Sequence, residues 1–214
     1  DGAHLDLKIE SGEQVVLHLE PGIENKLALL LKRHVTPSAG IVSIGGSELS
    51  SLDMYLLRSE VIVLNRPTIV DVTLREYLAM SEGRDLNGVT IMNALESVGL
   101  ASRVHSLPHG LDTELAASGS PLSIVEVMQL KLANALLSRP RLLLLSQLYD
   151  MMPLAPLKAT LAQLREAGTT VLLSSGRPEA LDLDAWYWIG PREQVRFADK
   201  AEFLAFIAAR EADA

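Results

Sequence analysis

Four consecutive leucines, Leu142–Leu145, lie between Arg139-Pro140-Arg141 and Ser146, and they narrow the choice of fold more than any other segment of the chain. Successive strand residues point to opposite faces, so a run apolar at every position has to be covered on both sides, as a central strand of a parallel sheet is. Short β-like runs also occupy residues 5–9, where Leu5, Leu7 and Ile9 alternate, and residues 15–19, 40–44, 61–64, 171–174, 185–189 and 194–197. Helical patterns fill much of the space between them. The longest helix-rich stretch, about 73–137, contains helical patterns at 73–80, 87–98 and 122–137. Strand and helix alternation on both sides of that stretch predicts an α/β fold, with a mainly parallel sheet, flanking helices and an inserted helical subdomain.

Local signals support the helix starts. Thr73-Leu74-Arg75-Glu76 and Ser123-Ile124-Val125-Glu126 both fit the capping box, in which a hydroxyl and a carboxylate satisfy each other's orphan backbone N–H groups. With 214 residues and 48% hydrophobic content the chain can bury a substantial core. Its net charge of −8 and the lack of any basic run argue against a nucleic-acid surface. Cysteine is absent, which removes disulfides and thiolate metal sites. The histidines, His4, His18, His34, His105 and His109, have no metal-ligand spacing. No apolar run approaches the roughly 20 residues that span a bilayer, so a soluble chain is expected. It begins at Asp1 and enters a strand pattern almost at once, which suggests a piece of a longer polypeptide.

The run 15–19 is followed by Glu20-Pro21-Gly22-Ile23-Glu24-Asn25-Lys26-Leu27-Ala28, a strand, turn and helix start of the kind that holds phosphate. A working phosphate loop reads G-x-x-x-x-G-K-[ST], its glycines letting backbone N–H groups reach the phosphate and its hydroxyl facing Mg²⁺. Here Glu20 and Asn25 occupy the glycine positions, Lys26 is present, and Leu27 stands where the hydroxyl belongs. Two roles are open to Lys26: contact with a phosphate, or neutralisation of Glu20 or Glu24 at a helix start.

Further segments follow in register. Gly110 to Leu115, then Gly119, Leu122 and Ser123, precede and open a helix; Arg139-Pro140-Arg141 leads into the leucine strand; Gly168-Thr169-Thr170 leads through a strand to Ser175-Gly176-Arg177; and Leu57-Arg58 precedes the strand ending near Asn65 and Pro67. In order and spacing these resemble the nucleotide-binding domains of ATP-binding cassette (ABC) transporters, with Thr113 to Gly119 most like the exporter branch. The resemblance covers nearly the whole chain. It implies a P-loop NTPase-like fold with an N-terminal antiparallel β part, a core formed by residues 1–66 and 138–214, and a helical signature subdomain at 67–137. It also implies ATP and Mg²⁺ as cofactors.

The departures fall on the chemistry. Glu20 at a glycine position brings a carboxylate to the triphosphate, and one like-charge pair at ~4 Å costs about 4 kcal/mol at an effective dielectric of about 20. By the resemblance Gly22 and Ala28 belong to the same degenerate loop. Leu27 and Ser146 stand at the Mg²⁺ positions, Gln147 at the position of the general-base Glu, Gly176 at that of the switch His, and Asn65 at that of the loop glutamine. An amide cannot accept the proton that a Glu accepts. In the signature Leu122 and Ser123 match, but Ile124 and Val125 replace glycines and Glu126 adds charge, so Ser123 reads more economically as a helix cap. No aromatic residue precedes Tyr55 to stack on adenine. Trp186, Tyr187 and Trp188 fit a strand rather than a stacking platform, and Asp150 receives no role.

No catalytic residue of the family pattern is intact. The resemblance implies an ATP-binding domain of an exporter-like transporter with weak or absent nucleotide binding and hydrolysis, in a coupling or regulatory role. It further implies a transmembrane domain as partner, in cis or trans, a homo- or heterodimer with another nucleotide-binding domain, and a place on the cytoplasmic face of the membrane. Two alternatives stand beside it: an active ATPase working with an intact partner, and a protein-interaction scaffold on the same fold.

Overall fold

The computed structural model describes residues 4–81 and 86–213. In chain order the elements are β1 (Gln14–Leu19), α1 (Ile23–Leu31), β2 (Ser43–Ile44), β3 (Ser47–Glu48), α2 (Met54–Glu60), β4 (Val61–Leu64), β5 (Val72–Thr73), α3 (Leu74–Ala79), α4 (Gly88–Ser97), α5 (Ala101–Ser106), β6 (Glu114–Leu115), α6 (Ile124–Ser138), β7 (Leu142–Leu145), α7 (Leu154–Glu166), β8 (Thr170–Ser174), β9 (Ala185–Ile189), β10 (Gln194–Phe197) and α8 (Lys200–Ala212). Six strands form one sheet in the order β10-β9-β1-β8-β7-β4. All its pairings are parallel except that of β10 with β9. Strands β2 with β3 and β5 with β6 form two small antiparallel ladders. No helix among the described residues is long and apolar enough to cross a membrane.

The period-2 pattern sorts the sheet into two cores. Val16, Leu143, Leu145, Val171, Leu173, Trp186 and Trp188 pack with α3 to α8 on one face. Val15, Leu17, Leu144, Leu172, Ala185, Tyr187 and Ile189 pack on the other, against Ile23, Leu27, Ala28 and Leu31 of α1. The leucine strand is thus covered on both sides, as its composition requires. Trp186, Tyr187 and Trp188 are all buried, in keeping with their strand reading.

Both capping boxes are formed. Thr73 N–H donates to Glu76 and Glu76 N–H to Thr73 Oγ1 at the start of α3; Ser123 and Glu126 do the same for α6. Two strand expectations change. Residues 5–9 make no ladder: Leu5, Leu7 and Ile9 rest against the α1-side core, and side chains hold the backbone, Tyr187 Oη donating to the Lys8 carbonyl and Gln194 Nε2 to that of Asp6. The run at 40–44 shrinks to Ser43–Ile44, a hairpin arm turned by Gly45 and Gly46 at φ 58° and 80°, left-handed values suited to a two-residue hairpin loop.

Candidate functional site

Parallel strands all end on the same edge, so β1, β4, β7 and β8 deliver the 20–28 turn, Asn65, Ser146-Gln147 and Ser175-Gly176 to one side of the sheet. This is where open α/β sheets bind ligands. Three of these four places are tied together directly, and Asn65 is tied to the helix that follows the turn.

The 20–28 turn is closed. Gly22 caps α1 with φ 87°, a left-handed value that glycine tolerates without strain, and α1 begins at Ile23. Ile23 N–H donates to the Glu20 carbonyl and Lys26 N–H to the Gly22 carbonyl, so these donors are turned into the helix start. Ile23 and Leu27, 3% and 5% exposed, are four residues apart on one helix face and insert into the core beside Val15 and Leu17. The backbone here follows buried apolar side chains. Two of its N–H groups, those of Ile23 and Lys26, are thereby withdrawn from any row that could face a phosphate.

Glu20 faces away from this turn. Its N–H donates to the Ile189 carbonyl, and a Cβ placed on Gly190 would lie 3.1 Å from its Oε1. With His18, Trp188, Ile207 and Arg210 its carboxylate lines a hollow beside α8. The repulsion expected from a carboxylate inside the turn therefore belongs to the far side of β1. Arg210 lies 3.9 Å over the Trp188 ring there and pairs with Glu193. Asn25 and Lys26 are exposed, and Lys26 pairs with neither Glu20 nor Glu24, while Ala28 is buried. Glu24 instead accepts from the Gln147 N–H at 3.1 Å.

The second half of the site is held by hydrogen bonds. Ser146, 1% exposed, donates its N–H to the Leu64 carbonyl, and its Oγ accepts from Leu148 N–H at 3.2 Å. Asp150 bridges to the loop after β8: Oδ1 accepts from Ser175 Oγ at 2.7 Å and Oδ2 from Gly176 N–H at 2.8 Å. Ser175 Oγ in turn accepts from Arg177 N–H, and the Arg177 guanidinium donates to the Asp150 carbonyl. The Gln147 amide lies over Gly176, where any Cβ would overlap it. Asn65 Oδ1 accepts from Lys32 Nζ at 2.9 Å. Ser123 is apart from this edge and acts as the cap of α6, with Ile124 beside it 55% exposed.

The set offers a divalent cation little. Leu27 and Ser146, the residues expected from the resemblance at the Mg²⁺ positions, are a buried hydrocarbon and a buried neutral hydroxyl already accepting a hydrogen bond; hard cations favour charged oxygens. Among the described residues no group of three or more His, Asp or Glu side chains is arranged to hold a metal. Gln147 can orient a water but cannot deprotonate it. Sequence reasoning missed Asp150 and Lys32, because each meets its partner across a long stretch of chain, 25 residues to Ser175 and 33 to Asn65.

A mainly parallel sheet with a strand, turn and helix at its first ligand-facing edge defines a P-loop NTPase-like domain. No family model matches the chain. Among curated proteins it is 29% identical over 181 residues to the mating factor M secretion protein mam1 of Schizosaccharomyces pombe, covering 84% of this chain and 13% of that protein. It is 32% identical over 146 residues to the ABC-type transporter MDR1 of Aureobasidium melanogenum, covering 67% and 11%. Over 144 residues it is 29% identical to the mitochondrial potassium channel ATP-binding subunit of Rattus norvegicus, covering 66% and 20%. The chain belongs to the nucleotide-binding domains of ABC transporters, and it spans only 10–14% of the length of most of these relatives.

Proposed function

We propose that this chain is a degenerate nucleotide-binding domain of an exporter-type ABC transporter, with a coupling or regulatory role and little or no ATP hydrolysis. The observation that carries this reading is the closed 20–28 turn, where Ile23 and Leu27 belong to the core. An open phosphate cradle would require both side chains to leave it. The missing carboxylates at Ser146 and Gln147 and the missing imidazole at Gly176 remove metal, base and switch as well. On this reading residues 1–66 and 138–214 form the core and 67–137 the helical subdomain. The domain is tethered at the cytoplasmic face through a transmembrane domain in cis or trans. It pairs with a second nucleotide-binding domain, its own copy or a different one.

Calorimetric titration of the pure chain with Mg-ATP tests the proposal. The expected result is no heat of binding at micromolar nucleotide; sub-micromolar affinity or steady turnover overturns it. The second reading, an active ATPase completed by an intact partner, draws on Lys26, which is exposed and in no ion pair at the position of the phosphate-loop lysine. Turnover by the paired domains that disappears on Lys26→Ala is the result that favours it.

A further inference from the structure

Many described cations are matched to carboxylates, among them Arg75 to Asp112, Arg103 to Glu126, Arg141 to Glu60 and Arg165 to Asp184. Lys32, Arg66 and Lys131 form a contrasting group around the turn that leaves β4. Lys131 Nζ donates to the carbonyls of Arg66 and Thr68, both at 2.8 Å, and Lys32 Nζ donates to Asn65 Oδ1. Every one of these acceptors is neutral. No ion pair joins any of the three cations to a carboxylate among the described residues.

The hydrogen bonds fix where the charges sit without cancelling them. Burial lowers the pKa of Lys32, and Arg66 lowers it further. Burial likewise lowers that of Lys131, with Lys32 adding to the effect. Lys32 thus feels both the burial and the charge of Arg66, and Lys131 both its burial and the charge of Lys32, on a chain whose net charge is −8. An ammonium group has more N–H donors than either lysine uses here, and the Arg66 guanidinium donates to no described residue, so donors remain to meet a ligand. A compact dianion relieves such repulsion and suits the donors that both lysines, anchored on residues 65–68, and Arg66 within that turn leave unused.

We propose that Lys32, Arg66 and Lys131 form a binding site for a phosphate-class anion at the turn after β4, separate from Lys26 and the closed 20–28 turn. The phosphate group can belong to a free ion or to the end of a nucleotide's phosphate chain, and the chemistry of recognition is the same. The site does not depend on the function proposed above.

The test is an NMR titration of the ¹⁵N-labelled chain with pyrophosphate at constant chloride, reading the backbone amides of Asn65, Arg66, Thr68 and Ile69. Saturable shifts are expected, weakened about tenfold by Arg66→Gln, in line with one lost charge-assisted contact. Arg66→Gln removes no protein hydrogen bond, so the fold is kept, and Lys32→Met weakens binding again. Arg192→Gln, an exposed cation elsewhere, leaves binding unchanged. Magnesium-free ATP that shifts the same amides with the same dependence on Arg66 identifies the nucleotide tail as a source; pyrophosphate acting alone identifies the free ion. Absence of shifts at millimolar pyrophosphate, or shifts that persist in the Lys32→Met, Arg66→Gln double variant, overturns the site. Tight Mg-ATP binding abolished by Lys26→Ala would overturn the function proposed above and leave this site standing.

Discussion

The turn after β1 and the paired loops after β7 and β8 lie on one edge of the same sheet, yet they are closed by different forces. After β1 the closure is apolar: α1 starts early and buries Ile23 and Leu27. After β7 and β8 it is polar, with Asp150 holding Ser175 and Gly176 and with Glu24 reaching across to Gln147. Apolar burial is non-directional and is lost only when atoms leave the core, whereas a hydrogen-bonded bridge fails when one partner is removed. The first turn should therefore resist opening far more than the second.

Four measurements sharpen or break that contrast, taken from the largest effect to the smallest. The double variant Ile23→Gly, Leu27→Ser, which removes both core contacts of the turn and places a hydroxyl at residue 27 as the phosphate-loop pattern has it, should lower urea-unfolding stability by on the order of 5 kcal/mol, the scale of two large buried side chains lost. A loss below about 1 kcal/mol would mean that the turn is not held by its core contacts. Asp150→Ala should cost about 2 kcal/mol, by leaving the Ser175 hydroxyl and the Gly176 N–H without their acceptor. Equal losses at the two sites would erase the distinction.

Tyr77 gives a reference away from both turns. Burial pushes its phenol up to about 12, so it stays neutral in the fold while the unfolded chain ionises near its ordinary value of 10.0. The stability this adds is complete below pH 10 and is lost as pH rises toward about 12, amounting to about 1 kcal/mol by pH 11. Tyr77→Phe should flatten that part of the pH profile, and an unchanged slope would remove Tyr77 as its cause. Gly176→Ala should cost less than about 1 kcal/mol, because the group its Cβ meets is the free end of the exposed Gln147 side chain. Rescue by Gln147→Ala checks the assignment.

The strands were legible where both faces are buried or where alternation is strict, as at Val61–Leu64, Leu142–Leu145 and Ala185–Ile189, since there burial alone dictates the pattern. Residues 5–9 alternate in the same way without joining a ladder, because alternation reports which side chains are covered and not which backbone groups pair. The caps at Thr73 and Ser123 were legible because all their partners lie within four residues. At the site, the motif register drew attention to what Leu27 lacks, although Ile23 and Leu27 already had the i, i+4 spacing of a buried helix face. The direction of Glu20 was also present in the chain: it shares strand parity with His18, and His18 packs edge-on against Phe203 of α8. Asp150 had no local signal, since its partners come from the next strand's end.

The double duty of Ile23 and Leu27 bears on how this sequence can change. A path of single substitutions from here toward an open phosphate loop has to pass through Leu27, where the pattern needs a hydroxyl, and release Ile23, and those steps hollow the core and yield weaker proteins before any phosphate contact is gained. Changes at Gln147 meet no such barrier, because its side chain is exposed, and a side chain added at Gly176 has to displace only the free end of Gln147. The two sides of the edge are thus unequally free to vary. The turn after β1 is confined to its present form by the stability of the domain, and the loops after β7 and β8 are open to exploration.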